Sequence, residues 1–464
     1  MRQLPQGSAL SPVLFKVYLL DILTEFENRN DISIFKFADD GSVVISKKTS
    51  ELCVQTLQRV MESLNSWSAK WRMVINCSKN KTEYICFGTT GRPSKDLIPT
   101  TMKLGSKEVS KVEETKVLGV LIDAKLSYIP HSQMIHQRLL GKWAKICKYS
   151  NNHWGFNQRI IGQIARTLFL TSMHYAGIVY MSNKNMTDIE SLWYRVIKSA
   201  TGAVFNLRKS VAEVITGLPP LRIQNNINKI KHYLKLNINP APEDKVRNLV
   251  ETCYSNQHRK SIPVELSSSL KETYKFLCWK VEERPIEFTD NDINIVLNGR
   301  IEEYFNLSTK ACSYTKTLIN KYTEKIWYAS LRNELNLQGY HHIPTPSCNR
   351  LAIPANTTRK EEVILMSLFY SNNLFNSFLY KETYLVESPL CRKCKQQEET
   401  AYHLILECSN KSEEARAILN QVIKDEEIQM ADCTTLLNGS RHPPFIKICL
   451  EILKQHDYKV TVNL

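Results

Sequence analysis

The sequence lacks an apolar run long enough to cross a lipid bilayer. Its longest runs, Val13–Leu20 and Val363–Phe369, fall well short of the roughly 20 residues that a membrane helix needs. The first residues also lack the basic start, apolar middle and small-residue cleavage site of a secretory signal. We therefore expect an intracellular protein with no membrane partner. Its 13 Cys are then expected to be reduced thiols that can bind metal, rather than a disulfide framework.

Acidic charge is scarce in the middle of the chain. Residues 89–240 carry 22 Lys and Arg against 8 Asp and Glu, which accounts for nearly all of the net charge of +15. Clustered basic charge is typical of proteins that bind a polyanion, most often a nucleic acid. On charge alone, a well-solvated basic surface is an equal alternative. With 464 residues, 43% of them hydrophobic, the chain can form two or three domains.

One predicted helix in this basic third separates charged from apolar residues. Its basic side consists of four residues at helical spacing: Arg138, Lys142, Lys145 and Lys148. Its apolar side consists of Leu139, Leu140, Trp143, Ile146 and Cys147. Such a helix can lie along a phosphate backbone while its other side packs on the protein. A solvated Lys and Arg face is an equally good interpretation of the pattern.

The spacing of apolar residues predicts an α+β fold. We expect helices over 10–28 and 50–72, strands over Ile32–Phe37, Ser42–Ser46 and 73–87, and helices over about 130–236 with a break at Gly217–Pro220. The polar turn Ala38–Gly41 joins the first two strands into a hairpin. The first part of the chain is therefore expected to be mixed and the middle helical.

Two adjacent carboxylates, Asp39 and Asp40, lie in that hairpin turn. Like charges so close repel unless they share a cation, so the pair suits a divalent metal. Two-metal phosphoryl transfer uses such carboxylates, although it draws them from more than one strand. Asp-Asp-Gly is also an ordinary hairpin turn, and taken alone it favours that interpretation.

A second chemical signal lies near the end of the chain. Cys391 and Cys394 precede His403 and Cys408, a paired spacing that folds a short loop around one tetrahedral Zn²⁺. His403 and Cys408 are too far apart to share one face of a regular helix, so the helix is expected to end or bend before Cys408. Four scattered core residues are the alternative.

Sequence motifs around both signals resemble one family. LPQGSALSPVLF followed by FKFADDGSVVIS resembles the palm of reverse transcriptases from non-long-terminal-repeat (LINE-type) retrotransposons. The resemblance continues through LNSWSAKWRMVINCSKNKTEYICF, and through KVLGVLIDAKLSYIPH, which looks like the hairpin that grips the primer. The C-terminal Cys and His segment, with Glu399 and Thr400 before the His, is similar to the zinc knuckle of jockey-like proteins.

The resemblance implies an RNA-directed DNA polymerase that uses an RNA template, a DNA primer or target and dNTPs in the nucleus and cytoplasm. It implies that Asp39 and Asp40 hold Mg²⁺ (or Mn²⁺), and that the Cys and His residues hold Zn²⁺. Lys81 would neutralise triphosphate charge, with an ordinary surface Lys as the alternative. The implied nucleotide and template contacts are Gln6, Gly7, Phe37 and Ala38. Trp67 and Trp71 are expected to belong to the core rather than to stack on bases.

The resemblance also implies an order of domains. We expect a partial palm over 1–88, the palm end and primer-grip hairpin over 89–135, a basic helical thumb over 136–240, a helical region of unknown role over 241–385, a zinc knuckle over 386–412 and a tail over 413–464. In the family, a fingers subdomain and a strand with another essential Asp precede the PQGS motif. Because neither is found here, we expect a truncated palm and no activity from this chain alone. The alternative function is a catalytically dead nucleic-acid-binding protein derived from a retrotransposon.

Overall fold

The computed structural model describes residues 8–27, 29–87, 98–150, 154–181, 185–202, 207–238, 309–336, 357–369, 375–384, 386–400 and 403–410, together with 413, 416, 417 and 420. The chain divides into two compact units, Met1–Gln133 and Met134–Leu464. In the described part of the chain, every helix is too short or too polar to span a bilayer.

The first unit mixes helix and strand, as the sequence predicts. Its elements are α1 (Ser11–Tyr18), a 3₁₀ turn (Thr24–Phe26), β1 (Ile32–Phe37), β2 (Asp40–Ile45), α2 (Ser50–Lys70), β3 (Glu83–Ile85), β4 (Thr101–Leu104), β5 (Lys107–Val112), β6 (Glu114–Val117) and β7 (Val120–Asp123). β1–β2 and β6–β7 are antiparallel hairpins. The other three strands form a sheet in the order β3-β5-β4, with β3 parallel and β4 antiparallel to β5.

Helix α2 supplies the core of this unit. Its N-terminus is capped by Thr49, whose side chain accepts a hydrogen bond from the backbone N–H of Leu52 at 3.3 Å. Val60 packs in one apolar cluster with residues before and within β1: Leu23, Phe26 and Ile32. Its neighbour Met61 packs in a second cluster with residues of the three-stranded sheet: Tyr84, Met102, Leu104 and Val109. α2 thus connects the first hairpin to that sheet.

Two predicted boundaries are wrong. The helix predicted over 10–28 ends at Tyr18, and Leu23 has a left-handed φ of 58°, which a continuous helix does not allow. The strand predicted over 73–87 is confined to Glu83–Ile85. The residues before it form a turn, because the Asn76 side chain accepts hydrogen bonds from Ser78 and its carbonyl accepts one from Thr82.

The regular elements described in the second unit are helices, with two isolated β-bridges, Ser150 to Gly155 and Leu390 to Glu398. Its elements are α3 (Ile129–Ile146, which begins before the division), α4 (Gln158–Ile164), α5 (Thr171–His174), α6 (Gly177–Tyr180), α7 (Thr187–Thr201), α8 (Lys209–Thr216), α9 (Leu221–Ile238), α10 (Thr309–Asn336), α11 (Arg359–Phe369) and α12 (Asn376–Phe378). Three segments are π-helical: Ala165–Leu170, Leu379–Thr383 and His403–Glu407. The break predicted at Gly217–Pro220 and the helix start at Leu221 are confirmed.

Helix α7 lies at the centre of this unit. Ile189, Trp193, Val196 and Ile197 are fully buried on it. Helix α11, far away in the sequence, docks against its end through Arg359, whose guanidinium donates to the carbonyls of Ser199 (2.7 Å) and Ala200 (3.1 Å). α11, one of the described parts of 241–385, therefore packs on α7.

Candidate functional sites

The predicted acidic pair lies at the tip of the first hairpin. Phe37 pairs directly with Asp40, so the turn contains only Ala38 and Asp39. Ala38 adopts a left-handed φ of 52°, as a tight two-residue turn requires. Asp39, Asp40 and the predicted template contacts Phe37 and Ala38 are all exposed. The predicted turn is therefore shortened, and Asp40 belongs to β2.

The acidic pair has no third ligand in the described part of the chain. The group of three or more metal-ligating side chains found there does not include Asp39 or Asp40. Lys81 is exposed on the turn before β3, and its backbone N–H donates to the carbonyl of Ser78 at 3.1 Å. Among the described residues Lys81 makes no ion pair with either Asp. Gln6 and Gly7 lie outside the described residues.

Asp21 is an organising carboxylate that sequence reasoning missed. It accepts hydrogen bonds from the indole N–H groups of Trp67 (2.7 Å) and Trp71 (2.9 Å), and from Lys70 (3.2 Å). The bond from Trp67, with those from Trp71 and Lys70, lowers the pKa of Asp21. Trp67 is buried as predicted, whereas Trp71 remains 37% exposed. The four-residue spacing of the two Trp was the available signal, but it did not identify their partner.

The segment that resembles a primer grip forms the hairpin β6–β7. Its turn residues Leu118 and Gly119 both have positive φ values, 46° and 87°. Asp123, at the end of β7, accepts hydrogen bonds from the backbone N–H groups of Ser127 (3.0 Å) and Tyr128 (2.7 Å). Burial alone would raise the pKa of Asp123, but these bonds outweigh it and lower the pKa. The carboxylate thus fixes the chain between the hairpin and α3.

The basic helix α3 presents most of its predicted cations to solvent. Arg138, Lys145 and Lys148 are exposed, although Lys148 lies in the 3₁₀ turn Cys147–Tyr149 that follows the helix. Lys142 is half-buried and donates to the hydroxyl of Ser172 at 3.1 Å. On the apolar side, Leu139 is fully buried.

Two residues assigned to the apolar side of α3 are not part of the core. Leu140 is 39% exposed, and Cys147 is exposed as well. They lie at the edge of the apolar face of the helix, where side chains are still exposed to solvent.

The structure brings the four predicted zinc ligands together. One ligand atom from each of Cys391, Cys394, His403 and Cys408 lies within 4.8 Å of all the others. The Sγ atoms of Cys391 and Cys408 are 4.0 Å apart, and Cys394 Sγ is 3.2 Å from His403 Nε2. Zn–S bonds of about 2.3 Å in a tetrahedron separate two sulfurs by roughly 3.8 Å. The cluster therefore has the size of a tetrahedral zinc site.

The π-helical turn explains how His403 and Cys408 meet. The backbone N–H of Cys408 donates to the carbonyl of His403 at 2.7 Å, five residues back. This wide turn ends at Glu407 and brings residues five apart to the same side. The prediction that the helix ends before Cys408 is confirmed. Thr400 caps the start of the turn, because its hydroxyl accepts from the backbone N–H of His403 at 3.0 Å.

The surroundings of the cluster favour the metal-binding forms of His403 and Cys394, but not that of Cys391. His403 Nδ1 lies 2.8 Å from Gln397 Oε1, an arrangement in which Nδ1–H donates and Nε2 is left to ligate. Burial raises the pKa of the Cys391 thiol to about 11. For Cys394, burial acts in the same direction, but backbone N–H groups of Gln396 and Gln397 and the His403 ring outweigh it and lower the pKa to about 7. Thiolates next to a bound cation would be stabilised further.

Comparison with known proteins defines the class of the first unit. Residues 1–122 match the family described as reverse transcriptase (RNA-dependent DNA polymerase). This match covers the acidic hairpin and the β6–β7 hairpin except Asp123. The match agrees with the resemblance to reverse transcriptases that the sequence shows.

The relatives are proteins of non-long-terminal-repeat retrotransposons. The RNA-directed DNA polymerase from mobile element jockey of Drosophila melanogaster is 25% identical over 246 residues, 51% of this chain and 26% of the relative. The Pol polyprotein from type-1 retrotransposable element R1 of Bradysia coprophila is 22% identical over 249 residues, 53% of this chain and 24% of the relative. A probable polymerase from the X-element of D. melanogaster is 28% identical over 219 residues, 46% of this chain and 21% of the relative. The chain thus spans about a quarter of these relatives. No solved structure gives a significant match.

Proposed function

We propose that this chain acts in RNA-directed DNA synthesis by a LINE-type retrotransposon, with Asp39 and Asp40 as carboxylates that hold Mg²⁺ or Mn²⁺. The observation that carries the proposal is the position of both Asp at the exposed tip of a tight hairpin inside the reverse-transcriptase match. Oxygen ligands suit these ions, and two exposed carboxylates leave room for water and phosphate ligands. When bound, the metal would activate the primer 3′ hydroxyl and stabilise the leaving pyrophosphate.

The remaining residues would bind and orient the polyanionic partners. In this proposal Lys81 neutralises triphosphate charge, and Gln6, Gly7, Phe37 and Ala38 contact the nucleotide or template. Arg138, Lys142, Lys145 and Lys148 bind phosphates of the RNA template and the DNA primer. The domain order expected from the sequence, with palm, thumb and knuckle, and action in the nucleus and cytoplasm belong to the same proposal.

A hairpin graft tests the assignment of the acidic pair. We expect the jockey polymerase to keep RNA-templated primer extension with Mg²⁺ when its corresponding segment is replaced by Ile32–Ile45 of this chain. Changing Asp39→Asn in the graft should abolish extension, because one metal ligand is lost. Ser33→Ala, on the exposed side of β1, is the matched control and should have little effect. A graft that extends equally well with Asp39→Asn contradicts the assignment.

A catalytically dead nucleic-acid-binding protein is the second candidate. It is favoured by the lack of a third metal ligand near Asp39 and Asp40 among the described residues. Either way, the isolated 464-residue chain is expected to bind nucleic acid without extending a primer. Extension by the isolated chain that is lost in Asp39→Ala would eliminate the second candidate.

We further propose that Cys391, Cys394, His403 and Cys408 bind Zn²⁺ as a structural knuckle. Co²⁺ added to the full chain should give the visible bands of a tetrahedral site with three sulfur ligands and one nitrogen ligand. His403→Ala should abolish or distort these bands. Cys147→Ser removes an exposed thiol outside the cluster and should leave them unchanged. Bands that persist unaltered in His403→Ala would show that His403 is not the fourth ligand.

A further inference from the structure

We propose that Glu399 is a positioning residue for the Cys and His centre, and that its carboxylate couples metal binding to the docking of α12. The proposal rests on the zinc site proposed above and adds a residue that is not a ligand. Glu399 is fully buried, and it lies between the two halves of the ligand set in the sequence.

The two oxygens of Glu399 bind two different parts of the chain. Oε2 accepts a hydrogen bond from the backbone N–H of Arg392 at 2.8 Å, inside the loop between the ligands Cys391 and Cys394. Oε1 accepts one from the backbone N–H of Asn376 at 3.0 Å, at the start of α12. One buried carboxylate therefore fixes both the metal-binding loop and the beginning of that helix.

Further contacts close this arrangement around the same two segments. The Arg392 side chain donates through Nε to Asn376 Oδ1 at 2.9 Å, and Nε lies 3.3 Å from Glu399 Oε1. Asn376 Nδ2 donates to the carbonyl of Leu390 at 2.9 Å. The Ser377 hydroxyl donates to the backbone carbonyl of Glu399 at 2.7 Å. The guanidinium also compensates the buried negative charge.

These bonds matter for a metal because the ion requires both cysteines of the loop in one geometry. A loop already held by Glu399 loses less conformational freedom when it binds metal than a free loop does. Conversely, metal bound to Cys391 and Cys394 holds the Arg392 N–H in place for Glu399, and so favours the docked α12. The coupling must act in both directions.

Glu399→Gln in the full chain separates this role from ligation. The amide keeps the size of the side chain, but its NH₂ group donates hydrogen bonds and accepts none, so one of the two buried backbone N–H donors loses its acceptor. We expect Zn²⁺ affinity, measured by competition with a chelator, to fall about 10- to 100-fold, as for other residues that orient metal ligands. The Co²⁺ bands should remain those of three sulfurs and one nitrogen but shift in position or intensity.

The matched control is Glu398→Gln. Glu398 is the preceding carboxylate, but it is half-exposed and pairs with Lys381 at 2.9 Å on the surface. The Zn²⁺ affinity and the Co²⁺ spectrum of the Glu398→Gln variant should equal those of the wild type. Hydrogen exchange of the Asn376 and Ser377 backbone amides measures the coupling between metal binding and the docking of α12. Zn²⁺ should slow their exchange in the wild type and in Glu398→Gln, and much less in Glu399→Gln.

Each outcome decides one of the two proposals. Wild-type affinity and Zn²⁺-dependent protection in Glu399→Gln overturn the positioning role and leave the metal site intact. A wild-type chain without the three-sulfur, one-nitrogen bands overturns the metal site and the coupling with it. If Glu399→Gln does not fold, Glu399→Asp decides instead, because the shorter carboxylate keeps its charge but does not reach both the Asn376 and the Arg392 backbone N–H. We expect that variant to weaken Zn²⁺ binding in the same direction, and unchanged affinity overturns the proposal.

Discussion

At the residue scale, the burial of His174 should make the free energy of unfolding depend on pH. Its Nε2 is buried without a hydrogen-bond partner among the described residues. Burial, with repulsion from Lys231, lowers the pKa of His174 from 6.5 to about 4. In the unfolded chain the ring takes up a proton near its ordinary pKa, whereas in the folded chain it stays neutral to much lower pH. The free energy of unfolding should therefore be unaffected above about pH 6.5 and decrease as the pH falls from there towards 4.

The expected loss from His174 is roughly 3 kcal/mol at most, since one pKa unit corresponds to about 1.4 kcal/mol. Urea unfolding at pH 7.5 and at pH 5 measures it. His174→Gln should reduce the pH dependence of the unfolding free energy, whereas His136→Gln on α3 provides a reference for losing a histidine elsewhere. Equal pH dependence in the wild type and in His174→Gln would contradict the prediction.

Single residues were predictable where the chemistry is contained in local spacing. Cys391, Cys394, His403 and Cys408 lie close in sequence, so their pattern alone indicated a cluster that the structure brings together. Asp21 and Glu399 were missed as organising carboxylates, because their partners Trp67 and Asn376 arrive only through tertiary packing. The sequence around a single acidic residue does not indicate which distant residues will become its partners.

At the element scale, Gly202 limits how α11 docks against α7. It ends α7 with a left-handed φ of +69°, and an added Cβ would clash with Val363 Cγ2 and lie 3.3 Å from Arg359 Nη2. Gly202→Ala should therefore lower the free energy of unfolding by roughly 1–3 kcal/mol, through backbone strain and overpacking. Gly141→Ala in the middle of α3 meets nothing within 4 Å, and it should raise stability by up to about 1 kcal/mol. Thermal unfolding of both variants checks the contrast, and equal effects would contradict it.

Elements were predicted best where alternation and turn chemistry agree. β1 was predicted with the bounds Ile32–Phe37 that it has, because apolar residues alternate up to the polar turn. The helix predicted over 10–28 was too long, because an apolar run does not reveal that Leu23 turns left-handed while Asp21 binds two Trp of α2. In this segment, tertiary contacts outweigh the helix propensity of the residues after Tyr18.

At the scale of the whole molecule, the long-range contacts of the described residues could not be predicted from the sequence. Glu362 accepts a hydrogen bond from the backbone N–H of Gln158 at 2.9 Å, across 204 positions of the chain. It also pairs with Arg359, which binds the end of α7. These buried groups meet only in the folded unit. There, each one provides a hydrogen-bond partner for a donor or acceptor that has none within its own helix. The uneven charge, in contrast, was visible from composition alone.

That charge leads to a prediction for nucleic-acid binding by the full chain. If roughly five cations of residues 89–240 contact phosphate, log K for a duplex should fall with log salt with a slope of about −4 to −5. Replacing Arg138, Lys145 and Lys148 by Ala should make the slope shallower by about 3, since each lost phosphate contact removes about 0.9. A matched variant that removes the same charge on α10, at Lys321, Lys325 and Arg332, should keep the wild-type slope. Equal slopes in the two triple variants would show that α3 does not bind phosphate, because only overall charge would then matter.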